Sequence, residues 1–294
     1  MRWKGERESD NVEDARGFPT GPVAVGGGIG TLIIVLIALF LGADPQKLLQ
    51  QLPQGAPPGA AAGGGPGGAG GGKAVDDDPV EKERLEFVKV VMASTEDVWT
   101  DIFQKMGKQY EKPVLRVFRN STQSGCGGAS AAMGPFYCPA DRKAYIDLAF
   151  YDELKRRFKA PGDFAQAYVI AHEIGHHVQN LLGTSEKVER LRGRLSEKEL
   201  NAISVRMELQ ADFYAGVWAN HAQKMRNILE PGDLESGLGA ASAIGDDNIQ
   251  KQTQGYVVPD AFTHGSSEQR VRWFRKGLQT GDVRQGDTFN ADPL

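Results

Sequence analysis

"AYVIAHEIGHHVQNLLG", Ala167 to Gly183, carries three of the chain's five histidines and a glutamate inside an otherwise apolar run. The run has the length and spacing of a buried helix. Imidazoles and carboxylates are costly to bury unless something pairs with them. His172 and His176 stand four residues apart, so on a helix they lie one turn apart on one face. Two imidazoles so placed can grip one metal ion. Glu173 is rotated about 100° around the helix, close enough to reach a metal-bound water without being a ligand itself.

This is the H-E-x-x-H arrangement, two zinc ligands plus a general base. A catalytic zinc site needs a third protein ligand and an open fourth position. The metzincin continuation would place glycine at 179 and histidine at 182, whereas the chain has Gln179 and Leu182. A glutamate on a later helix is the other solution. "RMELQADFYAGVWA", Arg206 to Ala219, supplies one, with Glu208 and Asp212 on one face. Glu208 is read as the third ligand. Asp212 is read as the acceptor for the outer N–H of a ligating histidine, fixing its tautomer. One zinc per chain would then lower the pKa of a bound water towards about 7, with Glu173 moving the proton. An oxyanion wants a second donor, and His264 in "AFTHGSSEQRVRWF" is the candidate. His177 and His221 read as bystanders, and Arg270 as a structural ion-pair partner.

Working outward, Pro161 and Gly183 frame the histidine helix. "SEKE", Ser196 to Glu199, has capping-box spacing ahead of a helix reaching about His221. One or two helices are predicted between Asp78 and Gly107, and two more near 233–250 and 266–278. "PVLRVF", Pro113 to Phe118, and "KAYIDLAF", Lys143 to Phe150, read as strands, and Gly125 to Pro139 as a loop. The strand "AYIDLAF" is a candidate sheet edge for an extended substrate. The pattern is α+β: mainly helix with a small sheet.

The first quarter of the chain differs in kind. Val23 to Gly42, "VAVGGGIGTLIIVLIALFLG", holds no charge over twenty positions, about the length that spans a bilayer core. Arg2, Lys4, Arg7 and Arg16 precede it and only Lys47 follows closely, so the positive-inside rule gives a single-pass anchor with residues 1–22 cytoplasmic and the rest outside. Ten glycines lie between Gln54 and Lys73. Residues 43–77 therefore read as a flexible, disordered linker that cannot bury enough apolar surface to fold, and residues 78–294 as the metallopeptidase domain. A net charge of -4 without a Lys/Arg block gives no case for nucleic acid.

"MRWKGERESDNVEDARG", the "GCGG…MGPFYCP" loop, "YIDLAFYDEL", "AHEIGHHVQ", "RMELQADFYAG" and "THGSSEQRVRWF" together resemble the bacterial putative neutral zinc metallopeptidase family. The resemblance covers nearly the whole chain apart from the Gly-rich linker. It implies a membrane-anchored, zincin-like metallopeptidase, with His172, His176 and Glu208 at ligand positions and Glu173 as base, but it supplies no substrate; the leading reading of the residues is a gluzincin-type endopeptidase acting on protein or peptide substrates. The Glu-x-x-Ala-Asp helix and the Thr-His…Arg segment are also similar to membrane peptidases related to the CAAX-processing protease. There a downstream histidine steadies the transition state, as His264 would, although Gly265 stands where those proteins usually have proline. With the domain outside the cytoplasm, in the periplasm, Cys126 and Cys138 can form a disulfide; the alternative is two free thiols in the cytosol. The competing function is a zinc-containing, weakly or non-catalytic envelope protein that binds a periplasmic partner.

Overall fold

The computed structural model describes residues 1–17, 78–191 and 193–294. The predicted span Val23–Gly42 and the linker lie outside the described residues. Among the described residues, no helix is long and apolar enough to cross a membrane.

The architecture is α+β, as the apolar patterning implies. β1 (Val12–Asp14) is followed by α1 (Pro79–Lys105), β2 (Val114–Phe118), β3 (Ser121–Ser124), β4 (Gly127–Ser130), β5 (Phe136–Cys138) and β6 (Lys143–Asp147). Helices then take over: α2 (Phe150–Arg156), α3 (Asp163–Leu181), α4 (Thr184–Glu189), α5 (Glu197–Arg226), α6 (Asp233–Ala243), α7 (Asp246–Gln254) and α8 (Ser267–Thr280). The main sheet has the order β1-β2-β6-β5, and β3 and β4 form a separate hairpin. β1 and β2 are parallel, as are β2 and β6, while β5 runs antiparallel to β6. β1, α1 and β2 thus make a parallel crossover unit.

The core lies between the sheet and the helices α1, α3, α5 and α8. α1 is one continuous helix, capped by Asp78, whose side chain accepts from the Val80 amide. Trp99, Trp218, Phe164, Phe213 and Phe274 are fully buried. The indole N–H of Trp218 donates to Ser94 Oγ at 3.1 Å, satisfying the polar edge of an otherwise apolar ring. The predicted capping box at Ser196 is present, Glu199 answering the Ser196 amide. α8 starts the same way at Ser266 and Gln269.

Three expectations are corrected. Residues 1–17 are not a separate segment but part of the domain. Val12, Glu13 and Asp14 pair with Leu115, Arg116 and Val117, Trp3 is buried edge-on against Phe87, and buried Glu96 accepts from Ser9 Oγ and Asn11 Nδ2. Second, the strand "KAYID" is interior, flanked by β2 and β5; the exposed edge next to it is β5, inside the stretch read as a loop. Third, the helix expected over 233–250 is broken at Ile244–Gly245 into α6 and α7. The Cys126–Cys138 disulfide is formed, tying the tip of the β3–β4 hairpin to β5.

Candidate metal centre

His172, His176 and Glu208 come together where α3 crosses α5. One potential ligand atom from each lies within 4.8 Å of the others. His172 Nε2 is 3.1 Å from Glu208 Oε2, and His176 Nε2 is 3.5 Å from Glu208 Oε1. The close crossing has a local cause. A Cβ at Gly175 would stand 2.9 Å from the Ala211 carbonyl oxygen, so any larger residue in the middle of "HEIGHH" would push the helix carrying Glu208 away.

Each imidazole is pinned from behind. His172 Nδ1 lies 2.8 Å from Asp212 Oδ1 and His176 Nδ1 lies 2.9 Å from Gln179 Oε1. Carboxylate and amide oxygens accept only, so each Nδ1 carries a proton, and release of the Nε2 proton that faces Glu208 would leave the Nε2 lone pair for a cation. That tautomer suits ligation, and outer partners of this kind orient a metal-binding histidine. Gln179 is itself fixed, donating to the Met207 carbonyl at 2.7 Å. Asp212 is fully buried and held by Arg270, which donates from Nε at 2.8 Å and Nη2 at 3.0 Å, and by the Tyr168 hydroxyl at 2.5 Å. Arg270 is therefore an ion-pair partner, and its pair sits directly behind a candidate ligand.

Charges follow this geometry. Burial works against ionisation of His172, but Asp212 and Glu208 outweigh it and hold its pKa up at about 10. Burial also opposes the Glu208 carboxylate, yet His176 and His172 pull it well below the usual range. Burial raises the pKa of Glu173, against the pull of both histidines. Two histidines and one carboxylate at this spacing fit a divalent cation, whose charge would take the place of the imidazolium protons.

His264 sits beside this group. Its loop rests on α5, since a Cβ at Gly265 would meet Val205 and Leu209 at 3.2 Å. His264 is half exposed, and its Nδ1 lies 3.1 Å from Asp246 Oδ1. Asp246 is wholly buried and collects the amides of Thr263, His264 and Gly265 on one oxygen. Sequence reading found His264 but missed Asp246, Gln179 and Tyr168. For Gln179 a signal was present: it stands one turn after His176. His177, expected to be a bystander, points off the metal face and braces the fold. Its Nε2 donates to the Glu111 carbonyl at 2.7 Å and its Nδ1 accepts from the Tyr137 hydroxyl at 2.9 Å, joining α3 to β5. Burial pulls its pKa down to about 4, consistent with a neutral ring. His221 joins α5 to the end of α8 through the Gly281 carbonyl.

The model of a family described as putative neutral zinc metallopeptidase matches residues 1–289. The chain is 48% identical over 298 residues to "Uncharacterized protein YpfJ" of Escherichia coli (strain K12), covering 98% of this chain and 99% of that protein. It is 43% identical over 220 residues to "Uncharacterized protein Rv2575" of Mycobacterium tuberculosis (strain ATCC 25618 / H37Rv), covering 71% of this chain and 73% of that protein. No solved structure matches it.

Proposed function

Because this chain belongs to the putative neutral zinc metallopeptidase family, we propose that it is a zinc-dependent endopeptidase of the gluzincin type, acting on peptide or protein substrates. The observation that carries this reading is the convergence of His172 Nε2 and His176 Nε2 on the two Glu208 oxygens, with both Nδ1 atoms pinned. His172, His176 and Glu208 would hold the ion. Zinc bound there supplies Lewis acidity, lowering the pKa of a water and polarising the scissile carbonyl.

The remaining work falls to side chains. Glu173 takes the proton of the attacking water and passes it to the leaving amine. His264, steadied by Asp246, leaves Nε2 free to donate to the oxyanion. An extended peptide would pair along β5, an antiparallel edge tied to the zinc helix through Tyr137 and His177. The test is Glu173→Gln with a quenched fluorescent peptide library as substrate. We expect full zinc content and a rate lower by about 10²–10⁴-fold, the usual worth of a general base. Undiminished cleavage by the variant would remove Glu173 from the mechanism.

A further inference from the structure

Gln179 on α3 and Gln210 on α5 are long polar side chains, yet both are buried, at 0% and 7% exposure. Each amide has one acceptor oxygen and one donor NH2 group, and only the surroundings decide which end points where. Here the surroundings fix both. Gln210 Nε2 donates to the Gly286 carbonyl at 2.7 Å. A carbonyl only accepts, so the Gln210 oxygen must face the other way, where it accepts from Gln179 Nε2 at 3.2 Å. Gln179 Nε2 gives its second hydrogen to the Met207 carbonyl. With both hydrogens committed on the α5 side, the Gln179 oxygen is left for His176 Nδ1 at 2.9 Å. The polarity of one main-chain carbonyl is thus handed through two amides to a candidate metal ligand.

Gly286 makes this approach sterically available. It follows the short turn Val283–Gln285 and is buried against α5. A Cβ there would stand 2.5 Å from Phe213 Cδ1, so a larger residue would hold the carbonyl away from Gln210. The same segment is clamped onto α5 further along. Thr288 Oγ1 donates to the Arg206 carbonyl at 2.6 Å, and Arg206 donates to the Ala291 carbonyl at 3.2 Å. Reversing either amide would set oxygen against oxygen and leave buried acceptors unmet. Met207 and Gln210 flank Glu208 in sequence, so the helix that carries the third ligand also carries the groups that aim the second.

We propose that Gln210 is a positioning residue for the metal centre: together with the Gly286 carbonyl it orients the Gln179 amide, and through that amide it holds the His176 ring with Nε2 towards Glu208. The inference rests on the ligand role given to His176 above. The full-length chain is compared with Gln179→Met, Gln210→Met and the double variant, methionine having the length of glutamine without its polar end. Zinc affinity is measured by chelator competition. Gln179→Met should weaken binding by about 10–100-fold, the usual worth of a ligand's outer partner, and Gln210→Met by about 10-fold. The double variant should bind no more weakly than Gln179→Met alone, because Gln210 acts only through that amide. Additive losses, or unaltered affinity in Gln210→Met, overturn the relay.

Ser94→Ala removes the acceptor of the Trp218 indole without touching either glutamine, and serves as the fold control. It should lower the unfolding temperature and leave zinc affinity unchanged. A loss there equal to that of Gln210→Met would mean general loosening and would also overturn the proposal. The metal-free chains, labelled with heavy nitrogen in histidine for NMR, give a second readout. The Nδ1–H of His176 should exchange with solvent faster in Gln210→Met than in the unsubstituted chain, and equal protection overturns the proposal. Should no chain take up zinc while that difference is present, the ligand role of His176 fails and the orientation of its ring by Gln210 stands.

Discussion

Gly277→Ala is predicted to destabilise the protein even though it replaces the poorer helix former. α5 and α8 cross with Gly216 and Gly277 facing each other's backbones. A Cβ at 277 would stand 2.9 Å from the Val217 amide nitrogen and closer still to the Phe213 carbonyl oxygen. The reciprocal Cβ at 216 would stand 2.7 Å from the Leu278 amide nitrogen. Carbon contacts are comfortable at about 3.5–4.0 Å, so the helices would have to part by on the order of 1 Å. The obstacles are main-chain atoms, which have no rotamer to move to. Overpacking of this kind costs about 1–3 kcal/mol, and a rigid backbone obstacle belongs at the upper end. The better propensity of alanine returns about 1 kcal/mol. The expected net loss is about 2 kcal/mol in urea unfolding at constant m. Gly239→Ala in α6 is the control. No atom lies within 4 Å of its Cβ position, so propensity alone should act and stabilise by up to about 1 kcal/mol. If Gly277→Ala matches or exceeds wild-type stability, the reasoning from close approach is refuted.

Asp212→Asn should weaken zinc binding by about 10–100-fold in chelator competition, because it removes the charged acceptor behind His172; unaltered affinity would mean that Asp212 does not orient that ligand. His264→Ala should retain zinc and lower kcat by about 10²–10³-fold, with a smaller change in KM. Asp246→Ala should lower kcat in the same direction by freeing the ring and its loop, and an unchanged kcat would show that His264 needs no such anchor.

The metal centre was legible because its information is local. His172 and His176 are spaced by one helical turn, as are Glu208 and Asp212, and a turn fixes which side chains share a face. The capping box at Ser196 is equally local. What sequence reading missed depends on partners far along the chain. β1 contains one apolar side chain, Val12, and becomes a strand only because β2 offers it a ladder. Trp3, in a run dense with charge, was the available sign that residues 1–17 fold onto something. β5 was hidden in a glycine-rich stretch, and its edge position follows from strand order, which residue patterning does not encode. Asp246 was obscured by the assumption of one continuous helix; the chain breaks before it so that its carboxylate can gather three amides from the loop of His264.

The central claim is that His172, His176 and Glu208 form one metal site, and the most direct measurement is the zinc content of the purified full-length chain beside that of Glu208→Gln. Residues 1–17 must be retained, since they are part of the fold. The account predicts one zinc per chain, lost or greatly weakened in the variant while its unfolding transition remains cooperative. Full zinc occupancy in Glu208→Gln, or no zinc in the unsubstituted chain after the metal is supplied, would contradict it.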